Sequence, residues 1–311
     1  MLKKLTALAA AAAMAFTLTA CNRDAQGENG STSSATGDVV LLVSTLNNPF
    51  FVDLRDGAQA KADALGVKLQ VQDAQNDAST QNNQIDNAIA SGAGLVIINP
   101  VDSDAAGPGV VKLNDANIPV VAVDRGVTSG KLATFISSDN VAGGRQAAEE
   151  LAKAIGEKGD VLVLQGIPGS SASRDRGQGF DEGIAAFTGI KVAAKQTANF
   201  DRSQGLDVTN NLLQANPNIK GIFAENDEMA LGALEAIGSG SEIKVFGFDG
   251  TGDALTAIAA DRMVGTIAQQ PKELGALAVD AAAKILSGKT VDKEIPVKVV
   301  SVLKANVKDF Q

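Results

Sequence analysis

Residues 39–51 read VVLLVSTLNNPFF, and they join an apolar run to a polar and aromatic segment. The run Val39–Val43 has the continuous apolar character of a buried strand. Residues 52–65 have helix-like spacing of apolar side chains, so a helix is expected to follow. The strand therefore ends in polar side chains and the adjacent Phe50 and Phe51. In an open α/β sheet, ligands bind just outside the carboxyl ends of the strands.

Two interpretations of this segment are open. The amides of Asn47 and Asn48 beside apolar ring faces suit a sugar, which has hydroxyl edges and flat C–H faces. Alternatively, Pro49 occupies the first position of a helix, and the Phe side chains simply pack into the core. The segment by itself favours neither interpretation.

The composition indicates a globular protein with a full core. The chain has 311 residues, 45% hydrophobic and 20% charged, which is enough for two ordinary domains. Its net charge of −9 argues against a nucleic-acid partner, which would need clustered Lys and Arg. The chain contains no His, which excludes histidine-based acid–base chemistry and His-ligated metals but not carboxylate or lysine catalysis. We expect no metal and no cofactor.

The N-terminus has the pattern of an export signal. Lys3 and Lys4 form a basic region, and residues 5–18 are an apolar segment too short for a comfortable transmembrane span. Residues 18–21 read LTAC and resemble a lipobox, the bacterial lipoprotein signal that is cut before a lipid-modified cysteine. The alternative is an ordinary secretory signal in which Cys21, the only cysteine of the chain, occurs by chance.

We therefore predict a lipoprotein signal peptide at 1–20 and lipidation of Cys21. Residues 21–37 are rich in Ser, Gly, Thr, Ala and Asn and are predicted to form a flexible tether. Two or more acyl chains on one residue suffice for stable membrane anchoring. The expected location is the periplasm or the outer face of the cytoplasmic membrane.

From residue 38 onward, short apolar runs alternate with longer amphipathic stretches. The predicted strands are 39–44, 67–72, 95–98, 119–123, 160–165, 190–195, 221–224, 244–248, 264–268 and 296–303. The predicted helices are 49–65, 78–91, 104–116, 140–156, 173–187, 202–215, 226–237, 252–261 and 271–287. Apolar strands separated by helices are typical of parallel sheets covered on both faces. We predict an α/β protein with two sheets in two similar halves, which divide near residues 137–139.

Polar or aromatic side chains follow nearly every predicted strand. The candidate ligand-binding residues at these carboxyl ends are Asn48, Phe50, Phe51, Asn99, Asp124, Arg125, Arg174, Phe200, Asn226, Phe248, Asp249 and Gln269. Four of the ten Phe residues after position 38 belong to this set, whereas random placement would scatter them into the core. Both halves therefore present similar chemistry at the same edge, which favours a shared binding cleft.

Each of these residues also has a purely structural explanation. Residues 99–100 would form a turn, residues 124–125 a surface ion pair of little energetic weight, and residues 174–176 a solvated helix face. Helix caps are expected at Asp139 and at Asp227. Taken together, these explanations do not account for the same chemistry in both halves.

The segments that carry these residues resemble the ribose-binding proteins of bacterial ABC sugar importers, which belong to the type 1 periplasmic binding protein family. The resemblance runs from about residue 38 to the C-terminus. It rests on the segments 44–51, 99–104, 124–125, 137–140, 164–166, 199–202, 226–233 and 247–251. Departures lie outside the candidate pocket: the lipobox and tether replace a plain secretory signal, and Glu225 precedes Asn226.

The resemblance implies two Rossmann-like lobes with parallel sheets, joined by a hinge of three crossovers. The crossovers are expected near 137–139, 269–271 and 297–300. The expected lobes are residues 38–138 with 270–298, and residues 139–269 with 299–311.

The resemblance further implies how a sugar would be held. Residues 48–125 of the candidate set would lie in the first lobe, and the others in the second lobe and hinge. The Phe rings would sandwich the sugar, the carboxylates would accept its hydroxyls, and the guanidiniums would donate to it. The implied ligand is D-ribose or a similar monosaccharide, and the implied partner is an ABC permease, with a chemoreceptor as a further candidate. The protein would be a monomer without catalysis.

Three other functions are alternatives. Asp124 and Asp249 would be the paired carboxylates of an enzyme that acts on sugars. The fold is shared with the effector cores of sugar-responsive repressors, although no basic helix-turn-helix precedes residue 38. Within the binding-protein class, the ligand would be another pentose, allose or a furanosyl signalling molecule.

Overall fold

Two six-stranded sheets, each covered by helices on both faces, form the body of the protein in a computed structural model that describes residues 37–311. The strands of the N-terminal lobe are β1 (Val39–Val43), β2 (Leu69–Asp73), β3 (Leu95–Ile98), β4 (Val120–Val123), β5 (Thr134–Ser138) and β11 (Glu294–Val297). Its helices are α1 (Pro49–Leu65), α2 (Ala78–Ala90), α3 (Ser103–Asp115) and α9 (Pro271–Leu286).

The C-terminal lobe repeats this plan. Its strands are β6 (Gly159–Gln165), β7 (Ile190–Thr197), β8 (Ile219–Ala224), β9 (Lys244–Asp249), β10 (Gly265–Ala268) and β12 (Val300–Leu303). Its helices are α4 (Asn140–Ala154), α5 (Ser171–Ile184), α6 (Arg202–Ala215), α7 (Asp227–Ile237) and α8 (Gly252–Ala259), and a single 3₁₀ turn (Val307–Asp309) follows β12.

The two sheets have equivalent topology. Their strand orders are β11-β5-β4-β3-β1-β2 and β12-β10-β9-β8-β6-β7, and every pair is parallel except β10 with β12. In both sheets the order reverses at the first strand, which creates a switch point where ligands of open α/β sheets bind. The predicted fold class, α/β with two parallel sheets, is confirmed.

Alternating residues of β1 show why the strands are apolar throughout. Val39, Leu41 and Val43 pack into a core with α1 and α9, whereas Val40 and Leu42 pack into a core with α2 and α3. Both faces of the strand are therefore buried, as expected for a parallel sheet between helix layers.

The helix pair α1–α9 is packed at backbone contact. A Cβ on Gly275 would lie 2.0 Å from the carbonyl oxygen of Leu54, so only glycine fits there. A Cβ on Gly57 would lie 2.1 Å from the carbonyl oxygen of Lys272 on the facing helix. This close packing ties a late segment of the chain to the first helix of the N-terminal lobe.

The chain passes between the sheets three times. It crosses at Asp139, between β5 and α4, at residues 269–270, between β10 and α9, and at residues 298–299, between β11 and β12. The expectation of a single strand at 296–303 is therefore wrong, because its two ends pair in different sheets. Strand β5 (Thr134–Ser138) was not predicted, because its sequence TFISS is short and partly polar.

Two helix caps were predicted, and one of them is correct. Asp139 caps α4 by accepting a hydrogen bond from the Ala142 backbone N–H at 3.0 Å. Helix α7 is capped by Asn226, whose Oδ1 accepts from the Met229 N–H, and not by Asp227 as expected. Asp227 instead accepts hydrogen bonds from the segment 250–251 and from the side chain of Thr266.

The predicted signal peptide, Cys21 and all but the last residue of the predicted tether lie outside the described residues. Within residues 37–311, no helix is both long enough and apolar enough to span a membrane.

Candidate functional site

A cavity of about 240 Å³ lies where the carboxyl ends of the two sheets face each other. Both lobes line it, with Asn48, Phe50, Phe51, Asp124 and Arg125 from the first and Ala172, Arg176, Phe200, Asn226 and Asp249 from the second.

The start of α1 both caps the helix and forms a wall of the cavity. The Oδ1 atom of Asn48 accepts a hydrogen bond from the Phe50 N–H at 2.9 Å, and Pro49 is the first helical residue. The rings of Phe50 and Phe51 pack edge to face, with centroids 5.1 Å apart, and both are buried. The helix-start interpretation therefore holds, and the same residues also line the cavity.

A buried ion pair forms the polar wall of the N-terminal lobe. Asp124 and Arg125 follow β4 and are only 2% and 3% exposed, which excludes a surface pair. The Oδ2 atom of Asp124 lies 3.5 Å from Nε of Arg125 and accepts a hydrogen bond from Nδ2 of Asn99 at 3.0 Å. Asp124 has a φ of 65°, a left-handed conformation that is uncommon for non-glycine residues but that Asp adopts more readily than most.

The C-terminal lobe contains a matching arrangement of carboxylate, guanidinium and amide. The Oδ1 atom of Asp249, at the end of β9, accepts from Nε2 of Gln269 at 2.6 Å and from Nη1 of Arg176 at 3.4 Å. The guanidinium carbon of Arg176 lies 4.0 Å from the centroid of the buried Phe248 ring. Arg176 is further fixed by hydrogen bonds to the Asn140 side chain and to the backbone carbonyl of residue 225.

Burial raises the pKa of both carboxylates. The pKa of Asp249 is raised well above its usual range by burial, which outweighs the opposing effect of Arg176. The pKa of Asp124 is raised by burial as well, against the lowering effect of Arg125 and Arg176. When both acids are ionised, they balance the two guanidiniums in charge, and the site then suits an uncharged polar ligand.

Several buried polar atoms at the site lack a hydrogen-bond partner within the protein. They are Oδ1 of Asp124, Nε of Arg125 and Oε1 of Gln269. Buried polar groups are nearly always satisfied, so these three atoms keep hydrogen-bonding capacity that the described residues do not use.

Eight of the twelve predicted ligand-binding residues line the cavity. Asn99 and Gln269 are not among the lining residues, and their side-chain amides donate hydrogen bonds to Asp124 and Asp249. Phe248 is not among the lining residues either. Its ring packs against the guanidinium of Arg176.

Of the two arginines near the start of α5, Arg176 lines the cavity and Arg174 does not. Arg174 is exposed and donates to the Gly169 carbonyl at 3.1 Å, outside the cavity. The buried face of α5 includes Ala172, Arg176 and Phe180, at helical spacing of four residues. That spacing, counted back from Phe180, is the sequence signal that would have identified Arg176.

The lobes also touch each other outside the cavity. The backbone N–H of Ser103, at the start of α3, donates to the Gly169 carbonyl at 3.0 Å. The Ser171 N–H donates to Oγ of Ser103 at 3.2 Å, and the Gly126 N–H donates to Oγ of Ser171 at 2.9 Å. The two lobes are therefore in direct contact beside the cavity.

Comparison with known proteins gives consistent matches. A family model described as a periplasmic binding protein domain matches residues 39–290. The ribose import binding protein RbsB of Haemophilus influenzae is 45% identical over 303 residues, covering 96% of this chain and 100% of that protein. The ribose import binding protein RbsB of Bacillus subtilis is 46% identical over 286 residues, covering 90% of this chain and 92% of that protein.

Solved structures of sugar-binding proteins also match. An ABC transporter periplasmic solute-binding protein from Actinobacillus succinogenes, with bound D-allose, has a TM-score of 0.82 and 35% identity, covering 88% of this chain and 99% of that one. The Caulobacter myo-inositol binding protein, bound to myo-inositol, has a TM-score of 0.83 and 35% identity, covering 89% of this chain and 96% of that one.

Proposed function

The chain belongs to the family of periplasmic binding proteins, and on that premise we propose that it captures D-ribose between its two lobes and delivers it to an ABC import permease. The observation that carries the proposal is the cavity between the lobes, to which each lobe contributes a carboxylate–guanidinium pair. Relatives named as ribose import binding proteins cover nearly the whole chain at 45–46% identity, which supports ribose as the ligand.

The site chemistry supports a small polyol. Asp124 and Asp249 would accept hydrogen bonds from sugar hydroxyls, and Arg125 and Arg176 would donate to sugar oxygens. A hydrogen bond between a charged group and a neutral hydroxyl contributes about 1.5–3 kcal/mol. The rings of Phe51 and of the second lobe's Phe200 would cover the apolar faces of the sugar.

Closure would follow from contacts that only the closed state provides. The first lobe would hold the sugar through Asp124 and Arg125, and Arg176 and Asp249 would engage it when the lobes meet. The three crossovers would serve as the hinge, a common means of closing two domains around a ligand. We propose that the protein works as a monomer, because the cavity is complete within one chain.

Binding without chemistry is the more consistent role for the two carboxylates. Each is held by an amide and a guanidinium, so each acts as a fixed acceptor. Incubation of the protein with methyl ribosides checks this point, since an enzyme would release free ribose.

A second ligand of the same class is D-allose. A solved relative at 35% identity contains bound D-allose, so the hexose belongs in the same binding panel as ribose. Isothermal titration calorimetry with ribose, other pentoses, allose and myo-inositol tests the assignment. Heat with another sugar but none with ribose would overturn the ligand while preserving the class, and no heat with any sugar would overturn both.

The family is one of exported proteins, and we propose that this member is anchored to the membrane by lipid on Cys21. The LTAC motif at residues 18–21 supports this anchor. An anchored protein would stay near its permease, and a chemoreceptor is a further candidate to recognise the closed form.

A further inference from the structure

One loop makes the contacts between the lobes outside the cavity. It comprises residues 166–170, between β6 and α5, together with Ser171, the first residue of α5. The Gly169 carbonyl and both the N–H and the hydroxyl of Ser171 form hydrogen bonds with Ser103 and Gly126 of the other lobe. We call residues 166–171 the closure loop.

A single buried carboxylate binds the first residue of the closure loop and the helix that follows the loop. The Oε2 atom of Glu225 accepts a hydrogen bond from the Gly166 N–H at 2.7 Å and another from the hydroxyl of Ser173. Glu225 is fully buried, and its backbone carbonyl accepts a hydrogen bond from Arg176 at 2.6 Å. The residue therefore connects the loop to the guanidinium that lines the cavity.

In the N-terminal lobe, Asn99 occupies the position equivalent to Glu225 and contacts Asp124, which lines the cavity. Asn99 follows β3 as Glu225 follows β8, and each strand lies beside the first strand of its sheet. The Oδ1 atom of Asn99 accepts from the Ser44 N–H, the first backbone group after β1, just as Glu225 accepts from the group after β6. Asn99 also holds Asp124, so this position supports the site in both lobes.

The loop is linked to the aromatic wall as well. A Cβ on Gly166 would lie only 2.1 Å from Cζ of Phe200, so the ring rests directly on this part of the backbone. Glu225 fixes the position of Gly166, and the position of Gly166 therefore determines where the Phe200 ring lies in the cavity.

We propose that Glu225 is a positioning residue for sugar-driven closure, which holds the closure loop in the shape that contacts the first lobe. The inference rests on the proposed function, because closure is expected around a sugar. Glu225 does not touch the cavity and acts through the loop, through Phe200 and through Arg176.

Ribose affinity in single and double variants tests the coupling. We expect Glu225→Ala to weaken binding by at least about tenfold, and Glu225→Gln, which keeps an acceptor for both bonds, to stay within about threefold of wild type. Ser171→Ala should cost about threefold in the wild-type background and almost nothing beside Glu225→Ala. If the two losses multiply, or if Glu225→Ala binds like wild type, the proposal is overturned. If Glu225→Ala fails to fold, Ser173→Ala removes one of the same two bonds and takes its place.

A second measurement needs no sugar. In the ligand-free protein, amide hydrogen exchange of the peptide covering residues 166–173 should be at least about tenfold faster in Glu225→Ala, while the α1 peptide stays unchanged. Unchanged exchange in residues 166–173 would overturn the inference whatever the sugar results. Faster exchange in a protein whose wild type does not bind ribose would overturn the ligand and leave this inference standing.

Discussion

Replacing Arg176 by Ala should weaken ribose binding far more than replacing Arg174, two residues earlier on the same helix. Arg176 lines the cavity and is buried, whereas Arg174 is exposed and donates only to a backbone carbonyl. Losing one hydrogen bond between a guanidinium and a hydroxyl costs about 1.5–3 kcal/mol. Because 1.4 kcal/mol corresponds to a factor of ten, we expect a loss of roughly 10- to 150-fold in affinity.

The same substitution should also lower the stability of the folded protein. Arg176 is the cation paired with the buried Asp249, and removing one partner of a buried pair costs about 3–5 kcal/mol. Thermal unfolding without ligand therefore has to accompany the binding measurement, so that affinity is measured at a temperature where the variant is folded. Arg176→Lys keeps the charge but lacks the planar guanidinium, so its ribose affinity and its stability should lie between those of the wild type and of Arg176→Ala.

Calorimetry is the appropriate assay, because the chain has no Trp and no Tyr whose fluorescence would report on binding. The matched control, Arg174→Ala, should change the binding free energy by no more than about 0.5 kcal/mol, the usual range for an exposed site. The reasoning is refuted if folded Arg176→Ala binds ribose within about twofold of wild type, or if Arg174→Ala loses more affinity than Arg176→Ala.

Three further predictions concern other parts of the chain. Gly166→Ala should displace the Phe200 ring and weaken ribose binding at least about tenfold. The control Gly252→Ala should not weaken binding, because no neighbouring atom lies within 4 Å of the added carbon. Equal ribose affinities of the two variants would refute the contact between Gly166 and Phe200 as the cause. Burial raises the pKa of Glu225 from 4.5 to about 7, against the opposing effects of its hydrogen bonds and of Arg176 and Lys195. Because the folded state then holds this proton more tightly than the unfolded state, the wild type loses stability as the pH rises from 4.5 through 7. In denaturant unfolding, Glu225→Gln should therefore gain up to about 3 kcal/mol relative to wild type between pH 4.5 and 8, and a constant difference would contradict the shift. Cys21→Ser should move the protein from the membrane pellet to the soluble fraction, and an unchanged pellet would reject the lipid anchor.

Much of the fold follows from local sequence patterns. The α/β class and the bounds of most helices were predictable, because continuous apolar runs such as Val39–Val43 and amphipathic stretches such as Pro49–Leu65 have distinct periods. Local patterns fail at residues 296–303, where one extended-looking segment divides between two sheets. Strand pairing depends on distant partners, so periodicity does not reveal this division.

The candidate site was predictable where residues follow strands, because strand ends are recognisable and parallel strands share one edge. Asp124 and Asp249 are examples, and both lie where the cavity forms. Arg176 was missed because its side chain reaches the cavity from a helix, where a shift of two residues turns it to the opposite face. The roles of Asn99 and Gln269 depend on hydrogen bonds between distant segments, which a list of strand-end residues does not contain.

The three passages between the sheets bear on the order in which this chain can mature. Strand β11 and helix α9 complete the first lobe, and strand β12 completes the second, so both lobes wait for the last part of the chain. Domains generally fold as units during synthesis, but here no early unit is complete. A nascent chain of this protein therefore lacks strands of both sheets until residues 294–303 have been synthesised. That delay is compatible with export of an unfolded chain, because both sheets become complete only when residues 294–303 are available.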